Sequence, residues 1–419
     1  MTNVLAIPMG LRLGGLMLLG VLVGRVVNWA VLQLRLSAWP IEGAVLTETR
    51  HGPWRCLPIV GWIGARVELP DGSRQWLRPL MVELLCGLGF AGLYWWEIGR
   101  VALLTDVPPP ATAMADSVRA ALQPMFAAHL LLGFLMLVAS LIDLDERIIP
   151  DCLTLPGTLA GLLLAAWTES VMLPTEIVGG VVPTVVPLHI ASPRAWPASL
   201  GGFPHAGALA IGLACYLGWC FALLPRRWYG RRGWLYAGRH LVARVLREPV
   251  SKRIAVMATI GAVVITALWF RNGASWRGLL TALVGMAAGG GLVWSVRLIG
   301  AAALRREAMG FGDVTLMAMI GTLVGWQNGL IIFFAAPLLG LVLGLLQWVL
   351  RRESEIPYGP FLCLATVVVI LDWRQVWLSA SPYFAIEWLI PTVVMMCLAL
   401  MAVLLVAMRA ARAVFFGSG

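Results

Sequence analysis

The feature that most limits the possible folds of this chain is a succession of long apolar runs. A helix that crosses a membrane needs about 20 apolar residues, and eleven runs reach or approach that length. They are residues 9–34, 80–98, 124–142, 152–168, 206–224, 254–270, 279–299, 313–326, 329–350, 358–371 and 388–408. Unpaired backbone groups are too costly in lipid, so such runs cross it as helices. We therefore predict an all-α polytopic membrane protein, a bundle of about 9–11 transmembrane helices with a small cytoplasmic loop domain after the first span.

The composition excludes other classes of protein. Of the 419 residues, 60% are hydrophobic and 12% are charged, whereas soluble domains have about 45–50% apolar and about 25% charged residues. This balance argues against a soluble two-domain enzyme and against a peripheral amphipathic anchor. The seven cysteines form no CxxC pair, so they predict neither a disulfide framework nor a zinc site.

The basic residues predict the orientation in the membrane. If the N-terminus lies outside, the inner loops hold most of the arginines, whereas the outer loops hold few. The inner groups include Arg226–Arg253, Arg305 and Arg306, Arg351 and Arg352, and Arg409 and Arg412. We predict an N-out, C-in protein of a bacterial inner membrane, whose net charge of +10 reflects cytoplasmic loops and not nucleic-acid binding. The basic loop at 226–253 is either a topology determinant or a contact for anionic lipid headgroups.

Hydrophilic stretches divide the chain into five parts. We expect a first span at 1–34, a cytoplasmic loop domain at 35–79 and helices at 80–164. Residues 165–275 then form an insertion with extra spans, a proline-rich external loop predicted to be irregular, and the basic loop. Further helices follow at 276–419. Glu83, just inside the second span, is either a buried helper or a side chain that reaches the interface.

Acidic residues are rare, yet two groups of them stand at the cytoplasmic ends of apolar runs. Asp143, Asp145 and Asp151 lie within nine residues, and Asp313 follows Gly310 and Gly312 in Met-Gly-Phe-Gly-Asp. One interpretation is that these acids are solvated and complement helix N-termini. The other is functional, because a carboxylate at membrane depth is costly. Asp143 and Asp313 favour the second interpretation because both adjoin apolar residues at the same predicted depth.

Two close carboxylates in a low-dielectric site share one proton. One then activates water while the other protonates the carbonyl or the leaving amine. Gly310 and Gly312 allow a sharp turn and the close approach of a peptide. A transporter that uses Asp143 and Asp313 as a proton relay and a catalytically silent assembly scaffold are the alternatives. A transporter leaves the Pro-Asp and Gly-x-Gly-Asp motifs unexplained, and a silent scaffold gives no reason to retain both acids.

These motifs resemble those of the prepilin leader peptidases, the GxGD-type intramembrane aspartyl proteases. The matching segments include LIDLDERIIPDCLTLPGTLAGLLL at 141–164, EAMGFGDVTLMAMIGTLVGW at 307–326 and IPYGPFL at 356–362. The resemblance implies cleavage of type IV prepilins or pseudopilins just before their hydrophobic segment, at the cytoplasmic membrane face. It implies that Asp143 and Asp313 are catalytic, and that Asp145 and Asp151 support them.

The chain departs from this family in its first cytoplasmic loop. Many members carry two CxxC pairs there, thought to bind zinc, whereas residues 35–79 contain Cys56 alone. One thiolate cannot make a closed tetrahedral site, so zinc is not expected. The second activity of many members, N-methylation of the product from S-adenosylmethionine, is associated with this loop. Whether methylation is retained here stays open.

Overall fold

A computed structural model describes residues 5–34, 57–63, 76–104, 113–177, 184–224, 249–304, 309–351 and 357–416. The helices in these ranges are α1 Met9–Leu34, α2 Leu77–Tyr94, α3 Ala113–Glu146, α4 Asp151–Trp167, α5 Ala206–Leu223, α6 Pro249–Arg271, α7 Gly273–Leu304, α8 Phe311–Arg351, α9 Gly359–Leu371, α10 Trp373–Phe384 and α11 Leu389–Phe416. A π-helical turn, Trp95–Gly99, extends α2. Two short strands, β1 Pro174–Ile177 and β2 Thr184–Pro187, complete the described elements. The all-α membrane fold predicted from the sequence is confirmed.

Eight of the described helices are long and apolar enough to cross a membrane: α1, α2 with its π turn, α3, α5, α6, α7, α8 and α11. Helices α9 and α10 meet at 92° and together form one broken span or a re-entrant segment. Helix α4 is apolar but has only 17 residues. Each of the eleven predicted apolar runs falls, to within a residue or two, in one of these helices.

Helix α8 contains two of the predicted runs because its chain folds back on itself. Gly325 has φ 79° and ψ 172°, which interrupts the helix. The methyl carbon of Met317 lies 3.6 Å from the position that a Cβ of Gly329 would occupy, whereas a straight helix separates residues twelve apart by about 18 Å. The two halves, 311–324 and 326–351, therefore pack against each other, and the turn precedes the predicted break at Gln327 and Asn328.

Helix α7 packs against the first half of α8 through small residues. Gly285 and Gly321 meet so closely that a Cβ on either would overlap the carbonyl oxygen of the other. One turn further along, Gly289 faces the backbone of Met317. In lipid, where the hydrophobic effect does not bring helices together, such close backbone contact is a main source of packing energy. The two segments are thereby held antiparallel in one register.

The segment between α4 and α5, predicted to be external, is more ordered than the sequence suggested. Strands β1 and β2 pair antiparallel, with Pro174 opposite Pro187. The Thr and Val residues between the prolines favour extended backbone, and the prolines stand at strand ends, where no ladder donor is needed. The segment packs on the turn of α8, since Trp326 Nε1 donates to Ile190 O (2.8 Å) and Gln327 Nε2 donates to His189 O (2.8 Å). The prediction of an irregular loop was wrong for this part.

Most of the predicted cytoplasmic loop domain lies outside the described residues, but its segment 57–63 docks on α2. The carboxylate of Glu83 is fully buried and accepts hydrogen bonds from the backbone N–H of Ile59 (2.6 Å) and from Trp62 Nε1 (2.7 Å). Arg25 on α1 adds an ion pair at 3.5 Å. Glu83 is thus buried and does not reach the interface. Cys56 and nearly all of the basic loop at 226–253 also lie outside the described residues.

Candidate active site

Asp143 lies in the last turn of α3. The helix ends at Glu146 because Arg147 adopts a positive φ of 56°, and the Arg147 N–H still donates to the Asp143 carbonyl (2.9 Å). The next residues run into Pro150, which is extended and precedes α4. Asp143 is only 5% exposed, so this acid does not belong to a solvated helix end.

Asp313 lies in the first turn of α8 and is 9% exposed. The backbone N–H of Gly310 hydrogen-bonds to its carboxylate. A negative side chain at this position also interacts favourably with the helix dipole. The Gly-Phe-Gly segment therefore forms a turn that places a carboxylate at a helix N-terminus, inside the protein.

The structure brings Asp143 and Asp313 together. The charge of Asp143 acts on Asp313, and both carboxylates act on Cys363, which is buried in α9. The last turn of α3 and the first turns of α8 and α9, which are distant from one another in the sequence, thus converge at one end of the bundle. The carboxylates occupy a low-dielectric interior, where electrostatic interactions are strong.

Ile149 packs against two glycines, Gly312 next to Asp313 and Gly359 opposite Asp143. A Cβ at Gly312 would fall 2.8 Å from the Ile149 Cβ, and a Cβ at Gly359 would fall 2.9 Å from the Ile149 Cδ1. One apolar side chain in the α3–α4 connection therefore touches the backbone beside Asp313 and the backbone facing Asp143. Both glycines are needed for this close approach.

Asp143 has one oxygen, Oδ2, that is buried and accepts no direct hydrogen bond within the described part of the chain. The other groups around this carboxylate come from the start of α9, where the backbone N–H of Gly359 interacts with it. A buried lone pair without a partner costs free energy. Such an atom at the meeting point of two carboxylates is a feature of a reactive site.

Asp145 and Asp151 take no part in the pair. Arg78 at the start of α2 donates to Asp145 Oδ1 (2.7 Å) and to the carbonyl of Leu141 (3.2 Å). These contacts tie α2 to the last turn of α3. Asp151 begins α4 and hydrogen-bonds to the Thr315 side chain on α8. Asp145 therefore ties α2 to the helix that carries Asp143, and Asp151 ties α4 to the helix that carries Asp313.

The start of α9 is the part of this site that sequence reasoning missed. Tyr358 and Gly359 stand in the IPYGPFL segment, whose resemblance to the family indicates no role for either residue. Burial and the nearby charge of Asp313 raise the pKa of Tyr358 above its ordinary value, so it remains a neutral phenol at physiological pH. The available signal was the Gly-Pro pair, which marks the start of an apolar helix. This pair does not indicate which carboxylate the start of the helix will face.

Within the described ranges, no group of three His, Cys, Asp or Glu side chains is arranged to hold a metal ion. His129 and Glu97 form a separate buried pair, with Nδ1 and Oε1 2.6 Å apart. This pair joins α3 to the π turn after α2. His129 lies near the middle of α3, about four turns before Asp143.

The comparison with protein families agrees with this geometry. The model of the type IV leader peptidase family matches residues 130–230 and 250–345, and these segments contain Asp143 and Asp313. The chain is similar to this family over these two segments, which make up just under half of its residues. Residues 231–249, between the matched segments, lie inside the predicted insertion at 165–275.

Curated leader peptidases are similar to limited parts of the chain. The prepilin leader peptidase/N-methyltransferase of Pseudomonas aeruginosa is 33% identical over 121 residues, which are 27% of this chain and 42% of that protein. Proteins of the same name from Aeromonas salmonicida (32% over 93 residues; 22% of this chain, 32% of the relative) and Stutzerimonas stutzeri (33% over 98; 23% and 34%) also match. The chain thus spans less than half the length of these relatives. No solved structure matches it.

Proposed function

We propose that this chain is an intramembrane aspartyl endopeptidase that removes the leader peptides of type IV prepilins or pseudopilins. The observation that carries the proposal is the convergence of two buried aspartates, Asp143 and Asp313, at one end of the helical bundle. The family match supports proteolysis, and the printed names of the relatives support prepilins as the substrate class.

The chemistry follows from the pair. Two adjacent buried carboxylates share one proton, so one is a base and the other an acid. The ionised carboxylate takes a proton from water as the water oxygen attacks the scissile carbonyl carbon. The protonated carboxylate donates to the carbonyl oxygen. The tetrahedral intermediate then collapses, the C–N bond breaks, and the leaving nitrogen takes a proton from the pair. Asp143 Oδ2, which has no direct partner in the described residues, is free to accept such a proton.

The location of the pair fits a substrate with a basic leader and a following apolar helix. Asp143 lies in the last turn of α3 and Asp313 in the first turn of α8, so both carboxylates lie where helices enter the membrane. A scissile bond at that depth is the one just before the apolar helix of the substrate. We assign this end to the cytoplasmic face of a bacterial inner membrane, because the basic loops gather there in the N-out, C-in arrangement. The relatives' names also include N-methyltransferase. If methylation is retained, S-adenosylmethionine is its cofactor, and it is a separate reaction.

A proton-relay transporter is not supported. A relay needs protonatable groups distributed across the membrane, whereas Asp143 and Asp313 sit together at a single end of the bundle. The neighbouring acids Asp145 and Asp151 hold helices at that same end. Two aspartates at one end of the bundle form a single reaction centre, not a proton path across the membrane.

The test is cleavage by purified full-length protein in detergent or liposomes. The substrate is a synthetic prepilin with a basic leader, a Gly-Phe junction and an apolar run, and mass spectrometry of the products gives the cleavage position. D143N and D313N should each reduce kcat by at least about 1,000-fold, and the double variant should be no slower, because the pair acts as a unit. D116N, at an exposed ion pair with Arg119, is the matched control.

D145N should retain much of the activity, since the contact described for Asp145 holds α2 against α3. Wild-type protein that fails to cut the substrate, or D143N that remains active while D145N is dead, would overturn the assignment.

A further inference from the structure

Arg297 on α7 contacts the segment that leads into Asp313. Its Nε donates to the carbonyl oxygen of Met309 (3.1 Å), and its guanidinium lies 5.6 Å from the centroid of the Phe311 ring. Asp313 itself follows two residues after Phe311. One side chain thus holds both ends of the short turn that precedes this aspartate.

The packing of α7 on α8 determines where Arg297 lies. Gly289 faces Met317, and the two helices run antiparallel in that register. Eight residues further along α7 is Arg297, and eight residues back along α8 and its lead-in is Met309. The glycine contacts deep in the bundle therefore bring Arg297 level with the Met309 carbonyl. Arginine is suited to this position because its Nε–H is directional and its planar group stacks on an aromatic ring.

The Met309 carbonyl and the Gly310 N–H belong to the same peptide group. A trans peptide is planar, and its C=O and N–H point in opposite directions. Arg297 donates to the oxygen of this peptide, and the N–H on the other side hydrogen-bonds to the Asp313 carboxylate. Two consecutive hydrogen bonds thus link the guanidinium to the peptide group and the peptide group to the carboxylate. Hydrogen bonds in such a chain polarise and orient one another.

We propose that Arg297 is a positioning residue for Asp313 and acts through the Met309–Gly310 peptide. Without Arg297, this peptide can rotate, and its N–H no longer stays directed at the carboxylate. We expect substrate binding to change little, because the contacts described for Arg297 are with this turn. The kinetic part of this inference rests on the proposed peptidase function, whereas the geometric part concerns Asp313 alone.

Several other ionisable groups near Asp313 also affect its protonation. They are Asp143 from α3, Tyr358 and Cys363 at α9, and Asp151 from α4, which reaches Thr315 one turn along α8. None of them contacts the Met309–Gly310 peptide in the described contacts. An N–H that donates to a carboxylate favours its ionised form, so its loss should move the protonation of Asp313 toward higher pH.

The experiment compares full-length wild type, R297Q, R297K and the control R409Q. Arg409 also donates to a backbone carbonyl of α7, that of Ala303 (3.4 Å), but far from Asp313 in the chain. Steady-state cleavage of the synthetic prepilin is measured from pH 5 to 9. In parallel, infrared spectra are recorded as a function of pH. The carboxyl band that is missing in D313N belongs to Asp313, so its intensity measures the protonation of this residue independently of catalysis. Thermal unfolding identifies variants that are merely unfolded.

R297Q should lose about 10- to 100-fold in kcat, as expected for a misplaced reacting group, with KM within about twofold of wild type. Its Asp313 band should titrate at higher pH. R297K, which keeps the charge but not the planar stacking on Phe311, should recover only part of both effects. It also serves as the test if R297Q does not fold.

Two results overturn the inference while leaving the peptidase proposal intact. In the first, R297Q and R409Q cleave alike and show the wild-type titration. In the second, R297K equals wild type in every measurement, so that charge alone matters. Conversely, wild type that never cleaves the prepilin while R297Q still shifts the Asp313 band would refute the peptidase proposal and support the positioning role.

Discussion

Gly359 faces Asp143 so closely that a Cβ at this glycine would lie 2.5 Å from Asp143 Oδ2. Real Cβ atoms do not approach an oxygen to that distance, so any side chain at position 359 must displace the carboxylate or the start of α9. The same glycine packs on Ile149. The first residue of α9 is therefore part of the wall of the candidate active site.

Replacing Gly359 with alanine should reduce cleavage by about 100-fold, because a displacement of about 1 Å at a reacting group costs that much. Activity and thermal unfolding are measured on the same preparations. The control is G133A, on the same helix as Asp143, where a Cβ meets nothing within 4 Å. G359A with wild-type kcat would show that the Asp143 carboxylate is not confined by α9.

The two glycines of the Gly-Phe-Gly-Asp motif should differ in their tolerance of alanine. At Gly312, a Cβ would meet the Ile149 Cβ at 2.8 Å and the Ile149 carbonyl oxygen at 3.0 Å. At Gly310 the nearest atom is Asp313 Oδ2, at 3.7 Å. We expect G312A to lose about 1–3 kcal/mol of stability through overpacking and most of its activity, whereas G310A retains both. Equal loss in the two variants would contradict the steric explanation.

Removing the Glu83 carboxylate should release the docked segment 57–63. Ile59 has a φ of 62°, which is strained for a β-branched residue, and its N–H donates to Glu83. In E83Q, an amide replaces one acceptor oxygen, and a buried donor left unpaired costs about 1–3 kcal/mol. Hydrogen–deuterium exchange of peptides covering 57–63 should accelerate at least tenfold relative to wild type and to D116N. Unchanged exchange would mean that apolar contacts alone hold the segment.

Cleavage should not depend on zinc. Residues 35–79 contain Cys56 alone, and a closed zinc site needs four ligands. Elemental analysis of the purified protein should find no stoichiometric zinc, and chelators should leave the cleavage rate unchanged. C56S should behave like wild type. One zinc per chain, lost together with activity on chelation, would refute this prediction. The mass of the new N-terminus reports methylation independently.

The membrane-spanning segments could be predicted from the sequence because the physics that creates them is local. Lipid requires each apolar run to satisfy its own backbone hydrogen bonds, so a run such as 279–299 becomes a helix whatever its neighbours are. Asp143 and Asp313 could be found for a similar reason. A carboxylate among apolar residues is costly, and only a few such positions exist in the chain.

The partners of these residues could not be read from the sequence, because they come from helices distant along the chain. Whether Glu83 is buried depends on segment 57–63 folding down onto α2. The turn inside α8 depends on a backbone conformation that Gly325 permits but does not require.

The sequence by itself thus determined the class of fold and the two aspartates, because the cost of placing polar groups in lipid acts residue by residue. Only the tertiary structure decided how they meet. The register of α7 on α8 brings Arg297 to the Met309 carbonyl, and the packing of α9 brings Gly359 to Asp143. Both are consequences of backbone contacts between helices, which depend on the shape of the whole bundle and not on the spacing of residues along the chain.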